Sequence, residues 1–260
     1  MTIESDTKMR IHILTIFPNM FDGPFQHSIV QRAIDAGIVD IDIHDIRKYT
    51  SNRHNSVDDY QFGGGPGMVM TPQPIFDNVE GILSDLTQLE LANTRVILTS
   101  PQGKLLNQKT VKLFSKQSNI LIICGHYEGV DERVREHLIT DDVSIGDYVL
   151  TGGEIAAMVL TDAMVRLKPG VVGTEASIEG DSITSGLLQH PVFTRPNTFR
   201  DWSVPEVLLS GNHGKIEQWR RRQSLARTLR NRPDLLAKAY ITEDDIEYLR
   251  SLGYEATNYS

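Results

Sequence analysis

The stretch Ser144-Ile-Gly-Asp-Tyr-Val-Leu-Thr-Gly-Gly-Glu154 decides the fold. An apolar strand breaks into a glycine turn, and the turn opens a helix expected from Ile155 to Leu167. Upstream, Cys124-Gly-His-Tyr-Glu-Gly-Val-Asp-Glu-Arg-Val134 repeats the plan: apolar strand, glycine-punctuated loop, charged helix start. Two bare-backbone turns at the ends of buried strands make a crevice where a flat ligand lies against amides and carbonyls. Neither turn fits a phosphate motif, so the expected ligand is not a nucleotide held by its phosphates.

Outward from these turns, strands and helices alternate. Arg10 to Phe17 is β-rich and ends at Pro18. Phe21, Phe25, Ile29 and Ala33 give Met20 to Ala36 helical spacing, closed by Gly37. Val39, Ile41 and Ile43 alternate with polar residues, as in a strand with one wet face. Tyr49 to Met70 reads as a long loop ending in Phe62-Gly-Gly-Gly-Pro-Gly-Met68. Gln73 to Leu91 is mostly helix, and Arg95 to Ser100 is a buried strand stopping at Pro101-Gln-Gly103. Helix from Asn107 to Gln117, strand from Ile120 to Cys124, helix from Asp131 to Leu138 and strand from Val143 to Leu150 follow. This alternation predicts an α/β domain with a mostly parallel sheet covered on both faces. Ligands in such sheets bind at the carboxyl ends of the strands, so the three turns after the most apolar strands are expected to line one site.

From Lys168 to Pro205 glycines and prolines interrupt every pattern, and the part up to about Ser185 reads as an exposed linker. Beyond Val204 the chain is helical. Ile216 to Leu229 carries Trp219, Leu225, Ala226 and Leu229 on one face and arginines opposite. Thr242 with Glu243, Asp244 and Asp245 starts a last helix ending at Gly253. A small all-helical C-terminal domain is expected.

With 260 residues, 40% apolar and 23% charged, the chain suits one large domain, or a medium domain plus a small one. Its single cysteine, Cys124, excludes a disulfide framework and a cysteine-rich metal site. No apolar run is long enough to span a bilayer, and the polar N-terminus has no secretory core, so a cytoplasmic protein is expected. The net charge of −8 argues against indiscriminate nucleic-acid binding. Yet His213 to Arg232 holds seven Lys or Arg against the single acid Glu217. That segment reads either as a solvated face or as a grip on a polyanion, and its concentration beside Trp219 favours RNA or DNA.

Walker, dinucleotide, zinc and serine-hydrolase motifs are all missing. Taken singly, Gly63-Gly-Gly-Pro-Gly67 is as compatible with a surface loop as with a site. Asp181 reads as a solvated linker acid and Arg166 as a charge at a helix end.

Together these segments identify a family. The chain resembles the bacterial tRNA (guanine-N1)-methyltransferases, the TrmD family of the knotted SPOUT methyltransferases, from about Met9 to about Leu252. The resemblance rests on Gly63-Gly-Gly-Pro-Gly-Met68, Ser100-Pro-Gln-Gly103, the two stretches quoted above, Pro169-Gly170, Asp181-Ser182, Gly186-Leu-Leu188, Thr194-Arg-Pro196, Leu209-Ser-Gly-Asn212 and Arg222-Gln-Ser-Leu225. It implies a deep trefoil knot, which composition could not suggest. It implies a disordered extension at 1–8, a knotted cofactor-binding domain at 9–168, an interdomain linker at 169–185 and a helical tRNA-binding domain at 186–260.

The resemblance further implies S-adenosylmethionine bound by Ser100 and Pro101, by Gly125, Tyr127 and Glu128, and by Ile145, Gly146, Asp147, Tyr148, Val149, Leu150, Gly152 and Gly153. The methyl acceptor would be N1 of the tRNA guanosine at position 37, just 3′ to the anticodon. Asp181 would be the general base and Arg166 the group steadying charge on the guanine. Lys215, Arg220, Arg221 and Arg222 would clamp tRNA phosphates. The family is a homodimer and has been linked to Mg²⁺, although this sequence shows no convincing metal site; DNA and membrane are not expected partners. Two departures are visible: His126 stands where many relatives have Arg, and Asp59-Tyr60-Gln61 replaces a common Asp-Arg-Pro. His126 is therefore given no catalytic role, and the contacts of Asp59 stay open. A SPOUT methyltransferase acting on another RNA site and a non-catalytic RNA-binding protein are the competing readings.

Overall fold

The computed structural model describes residues 8–172, 182–183 and 186–254. The chain divides into two compact units, Met1–Gly173 and Thr174–Ser260.

The first unit is built on a five-stranded, wholly parallel sheet. Its strands are β1 (Met9–Thr15), β2 (Val39–Asp45), β5 (Thr94–Leu105), β6 (Asn119–Cys124) and β7 (Asp141–Ser144), in the order β2-β1-β6-β5-β7. β6 is the central strand and every residue in it is buried, which is why it reads as an apolar run from Ile120 to Cys124. Side chains alternate across the sheet. Ile120, Ile122 and Cys124 face one core with α1 (Ser28–Asp35), α4 (Gln108–Phe114) and α6 (Glu154–Val165). Leu121 and Ile123 face a second core with α2 (Pro72–Ser84) and α5 (Glu132–His137). A Thr87–Glu90 capping box opens a short helix, α3 (Gln88–Ala92), which leads into β5.

Where the elements differ from the sequence expectation, the cause is local. The helix expected from Met20 begins only at Ser28, because Gly23 takes φ +105° and Pro24 follows it. The expected loop from Tyr49 to Met70 contains a hairpin of β3 (Asp58–Tyr60) and β4 (Met68–Met70). β5 does not stop at Pro101: it shifts register between Thr99 and Lys104 and rejoins β7. A Cβ at Gly103 would sit 2.6 Å from the backbone of Asp142 and Val143, so this rejoining needs glycine. β7, expected to reach Leu150, ends at Ser144. There the Ser144 hydroxyl accepts from the Gly146 amide at 3.3 Å and donates to the Gly146 carbonyl at 3.0 Å, closing a turn instead of a ladder.

On the sheet edge, His12 Nδ1 and His44 Nε2 lie 3.0 Å apart on paired strands. Burial holds both imidazoles below their ordinary pKa. The neighbouring His44 lowers His12 further, and Asp42 opposes the shift in each.

Among its described residues the second unit has helices and one small hairpin, β8 (Thr198–Phe199) with β9 (Trp202–Ser203). Its helices are α7 (Glu206–Leu209), α8 (His213–Asn231), α9 (Pro233–Leu236) and α10 (Glu243–Ser251). The fully buried apolar core is Leu187, Leu225, Leu236 and Leu249. Asn212 caps α8, and a Thr242–Asp245 capping box opens α10. The same Asp245 carboxylate binds the Arg221 guanidinium at 2.8 Å and so ties α10 to α8.

Candidate functional site

Three chain reversals meet at the carboxyl ends of β5, β6 and β7. They line one cleft, which receives Ser100 and Pro101 from the bend in β5, Gly125, Tyr127 and Glu128 after β6, and Ile145, Gly146, Tyr148, Val149, Leu150, Gly152 and Gly153 after β7. Asp147 lies on the same turn, is exposed and is not part of the wall. Thr99, Gln102, Gly129, Glu132, Arg135 and Ala156 also contribute, and the sequence reading singled out none of them.

Backbone contacts draw the reversals together. The Gly153 amide donates to the Gly125 carbonyl at 2.9 Å, and Thr99 Oγ1 donates to the Ile123 carbonyl at 3.1 Å. A Cβ on Gly153 would overlap Thr99 Oγ1 and lie 2.8 Å from Cys124 Cα and 2.9 Å from the Gly125 nitrogen. Only a residue without a side chain lets three strand ends approach this closely. Tyr127 holds φ +58°, an uncommon conformation for an aromatic residue and one of the strained positions that cluster at binding sites. The glycine-rich loop is also brought in. The Glu128 amide donates to the Met68 carbonyl at 3.0 Å, and the Met70 amide to the Gly129 carbonyl at 3.0 Å, so β4 docks beside the Gly125 turn.

Behind the cleft stands a polar network the sequence did not reveal. Glu154, the first residue of α6, is 1% exposed. It accepts from Thr15 Oγ1 at 2.6 Å, and its other oxygen lies 2.7 Å from His126 Nε2. The Phe17 amide donates to Thr15 Oγ1 at 2.9 Å, and the Phe17 ring packs edge-on against His126. His126 thus spans from the Gly125 turn to the start of α6, a positioning contact between two walls of the cleft. The available signal was a carboxylate placed directly after Gly152-Gly153, where a helix N-terminus favours negative charge. Burial, with the Glu154 carboxylate adding to it, pushes the Cys124 thiol well above its ordinary pKa, so this cysteine is a packing residue.

Arg166 is half-buried at the C-terminal end of α6. Asp181 lies outside the described residues. On α8, Lys215 is exposed, Arg220 pairs with Glu217 at 2.7 Å, and Arg222 sits 5.2 Å over the Tyr248 ring. Arg221 is committed to Asp245 and to the Tyr240 carbonyl at 2.7 Å, which makes it an internal tie. Among the described residues no group of three or more His, Cys, Asp or Glu is placed to hold a metal ion, and no helix is long and apolar enough to cross a membrane.

The fold and cleft define an α/β protein with a glycine-walled cleft at the ends of parallel strands, the place where sheets of this kind bind their ligands. The family profile described as tRNA (Guanine-1)-methyltransferase TrmD matches residues 9–238. A tRNA (guanine-N(1)-)-methyltransferase of Staphylococcus epidermidis is 52% identical over 250 residues, covering 96% of this chain and all of that protein. Proteins of the same name from Dehalococcoides mccartyi and Bacillus cereus are each 51% identical, over 91% and 94% of this chain and 94% and 98% of their own lengths. The chain belongs to the tRNA (Guanine-1)-methyltransferase TrmD family.

Proposed function

We propose that this protein transfers a methyl group from S-adenosylmethionine to N1 of a tRNA guanosine, at position 37 just 3′ to the anticodon. The observation that carries the reading is that three of the segments on which the family resemblance rests, Ser100-Pro101, the turn at Gly125 and the turn from Ile145 to Gly153, converge on one glycine-built cleft. The cleft suits the donor. Backbone amides and carbonyls around Gly125 and Gly153 can address an adenine edge, and Tyr148, Val149 and Leu150 offer apolar walls. Glu128 gives the cleft an acidic group that favours a cationic ligand, while Glu132 is paired with Arg135 at 3.3 Å. When bound, the donor supplies a methyl group already activated on a sulfonium sulfur.

The chain's own work is at the guanine. N1 carries a proton and its lone pair is delocalised, so a base must take that proton as the bond to carbon forms. Asp181 takes this role, and Arg166 steadies the charge that moves to O6. The guanine must first leave the anticodon-loop stack. Lys215, Arg220 and Arg222 hold tRNA phosphates, and Arg221 holds α8 in place for them. The units act as a knotted cofactor-binding domain and a helical tRNA-binding domain joined by the 169–185 linker. The protein works in the cytoplasm as a homodimer. Phe17, Met20, Ile155 and Val159, all more than 40% exposed on the first unit, are the apolar groups that pairing would cover.

The test is methyl incorporation into tRNA carrying or lacking the target guanosine, together with calorimetric titration of S-adenosylmethionine. Asp181→Ala should abolish turnover and leave cofactor affinity near that of the parent. Equal collapse of both would remove the assigned base, and incorporation that ignores the guanosine would move the substrate to another RNA site.

A further inference from the structure

Two aromatic residues in the second unit stand in water with a cation between them. The β8–β9 hairpin turns through Arg200 and Asp201, and Arg200 holds φ +56°. A two-residue hairpin turn with positive φ at its first position favours glycine, so arginine is kept there against the backbone's preference. Its guanidinium lies 5.4 Å from the Phe199 ring centroid and 5.8 Å from that of Trp202. The two rings, 57% and 67% exposed, are 6.3 Å apart. At the foot of the hairpin the Val204 amide donates to the Asn197 carbonyl at 2.8 Å. Asn197 and Val204 continue there into a concave surface shared with Phe193, Arg195 and Arg220. Arg195 and Arg200 form no ion pair among the described residues.

Exposed rings interleaved with guanidinium groups match what unpaired nucleotides offer: flat bases to stack and phosphates to neutralise. An apolar protein partner would leave the unpaired cations unanswered. We propose that the hairpin tip and the concavity at its foot form a docking surface for unstacked nucleotides of the RNA substrate. Phe199 and Trp202 stack on bases, and Arg195 and Arg200 supply the positive charge. This rests on the tRNA reading above and adds to it a contact surface that adjoins the basic face of α8 at Arg220.

The chain has two tryptophans, so Trp219→Phe leaves Trp202 as the sole tryptophan reporter. Titration with an anticodon stem-loop RNA should quench its fluorescence. In the full-length enzyme, Phe199→Ala with Trp202→Ala should raise KM for tRNA by about tenfold, with a much smaller change in kcat and unchanged cofactor affinity. Arg200→Gly suits the turn, so it should keep the melting temperature while raising KM. Absent quenching together with KM within twofold of the parent overturns the proposal. So does a fall in solution mass with KM unchanged, which would make the hairpin a protein contact. The quench needs no turnover, so failed methylation in the parent enzyme would sink the methyltransferase reading separately from this surface.

Discussion

The two units build their working surfaces from opposite materials. In the sheet unit the cleft is shaped by backbone: glycines at 125, 152 and 153 and the carbonyls and amides around them set how closely its walls approach, side chains such as Tyr148 and Leu150 line it, and two extensive apolar cores support it. In the helical unit the surface is side chains, namely arginines, lysine and exposed rings, over a core of four leucines. Backbone surfaces are shaped by how closely strands approach, so they tolerate almost no added atom. Side-chain surfaces change by increments, one charge or ring at a time. Under the proposed function, a cleft for a small ligand gains from the first design and a grip on a long polyanion from the second.

The largest effect expected is on the thin core of the helical unit. Leu225→Ala should destabilise that unit by about 3 kcal/mol, since four buried leucines leave little else to close the cavity. Calorimetric titration of the cofactor on the full chain should be unmoved, and loss of cofactor binding would break the division of labour. Next comes Gly153→Ala, whose new Cβ overlaps Thr99 Oγ1 and the backbone at Cys124 and Gly125. Overpacking of this kind should cost about 2 kcal/mol in thermal melts and weaken cofactor binding more than tenfold. Parent-like affinity would show that the close approach is not what shapes the cleft.

The smallest effect separates the units by acid sensitivity. His12 and His44 are held below their ordinary pKa by burial, so the folded sheet unit resists protonation that the unfolded chain accepts near pH 6.5. Its stability is therefore full above about pH 6.5 and declines as pH falls toward the lowered values. In the helical unit burial works to raise Asp245, but the Arg221 guanidinium and the Thr242 cap hold it below the ordinary carboxylate value. That contribution survives until pH drops below about 4. Melts at pH 7.5 and 5.5 should show a drop of a few degrees in the sheet unit alone, and His44→Gln should reduce it.

Much of this was legible in the chain. β6 could be read directly, because a strand covered on both faces is apolar along most of its length, here from Ile120 to Cys124. The long helix α8 and the Thr242 cap were equally plain, since both depend on neighbours within one or two turns. The misread ends of β5 and β7 share a cause. Whether a strand continues past Pro101 or stops at Ser144 depends on which strand lies beside it, and on a hydroxyl that prefers its own turn. The role of His126 was invisible for the same reason. Its partner Glu154 is 28 residues away, and Thr15, which completes the network, is 139 residues from Glu154.

The sequence by itself determined the kind of elements, the family and the glycine turns, because periodicity, caps and unbranched backbone act over a few neighbouring residues. That those turns line one site was already expected from their places after apolar strands, and tertiary structure brought them within hydrogen-bond reach of one another. It also buried Glu154 between Thr15 and His126, turned Arg221 inward onto Asp245, and left Phe199, Arg200 and Trp202 in water. Each of these outcomes is set by contacts between segments far apart in the chain, whose free energies no local pattern encodes.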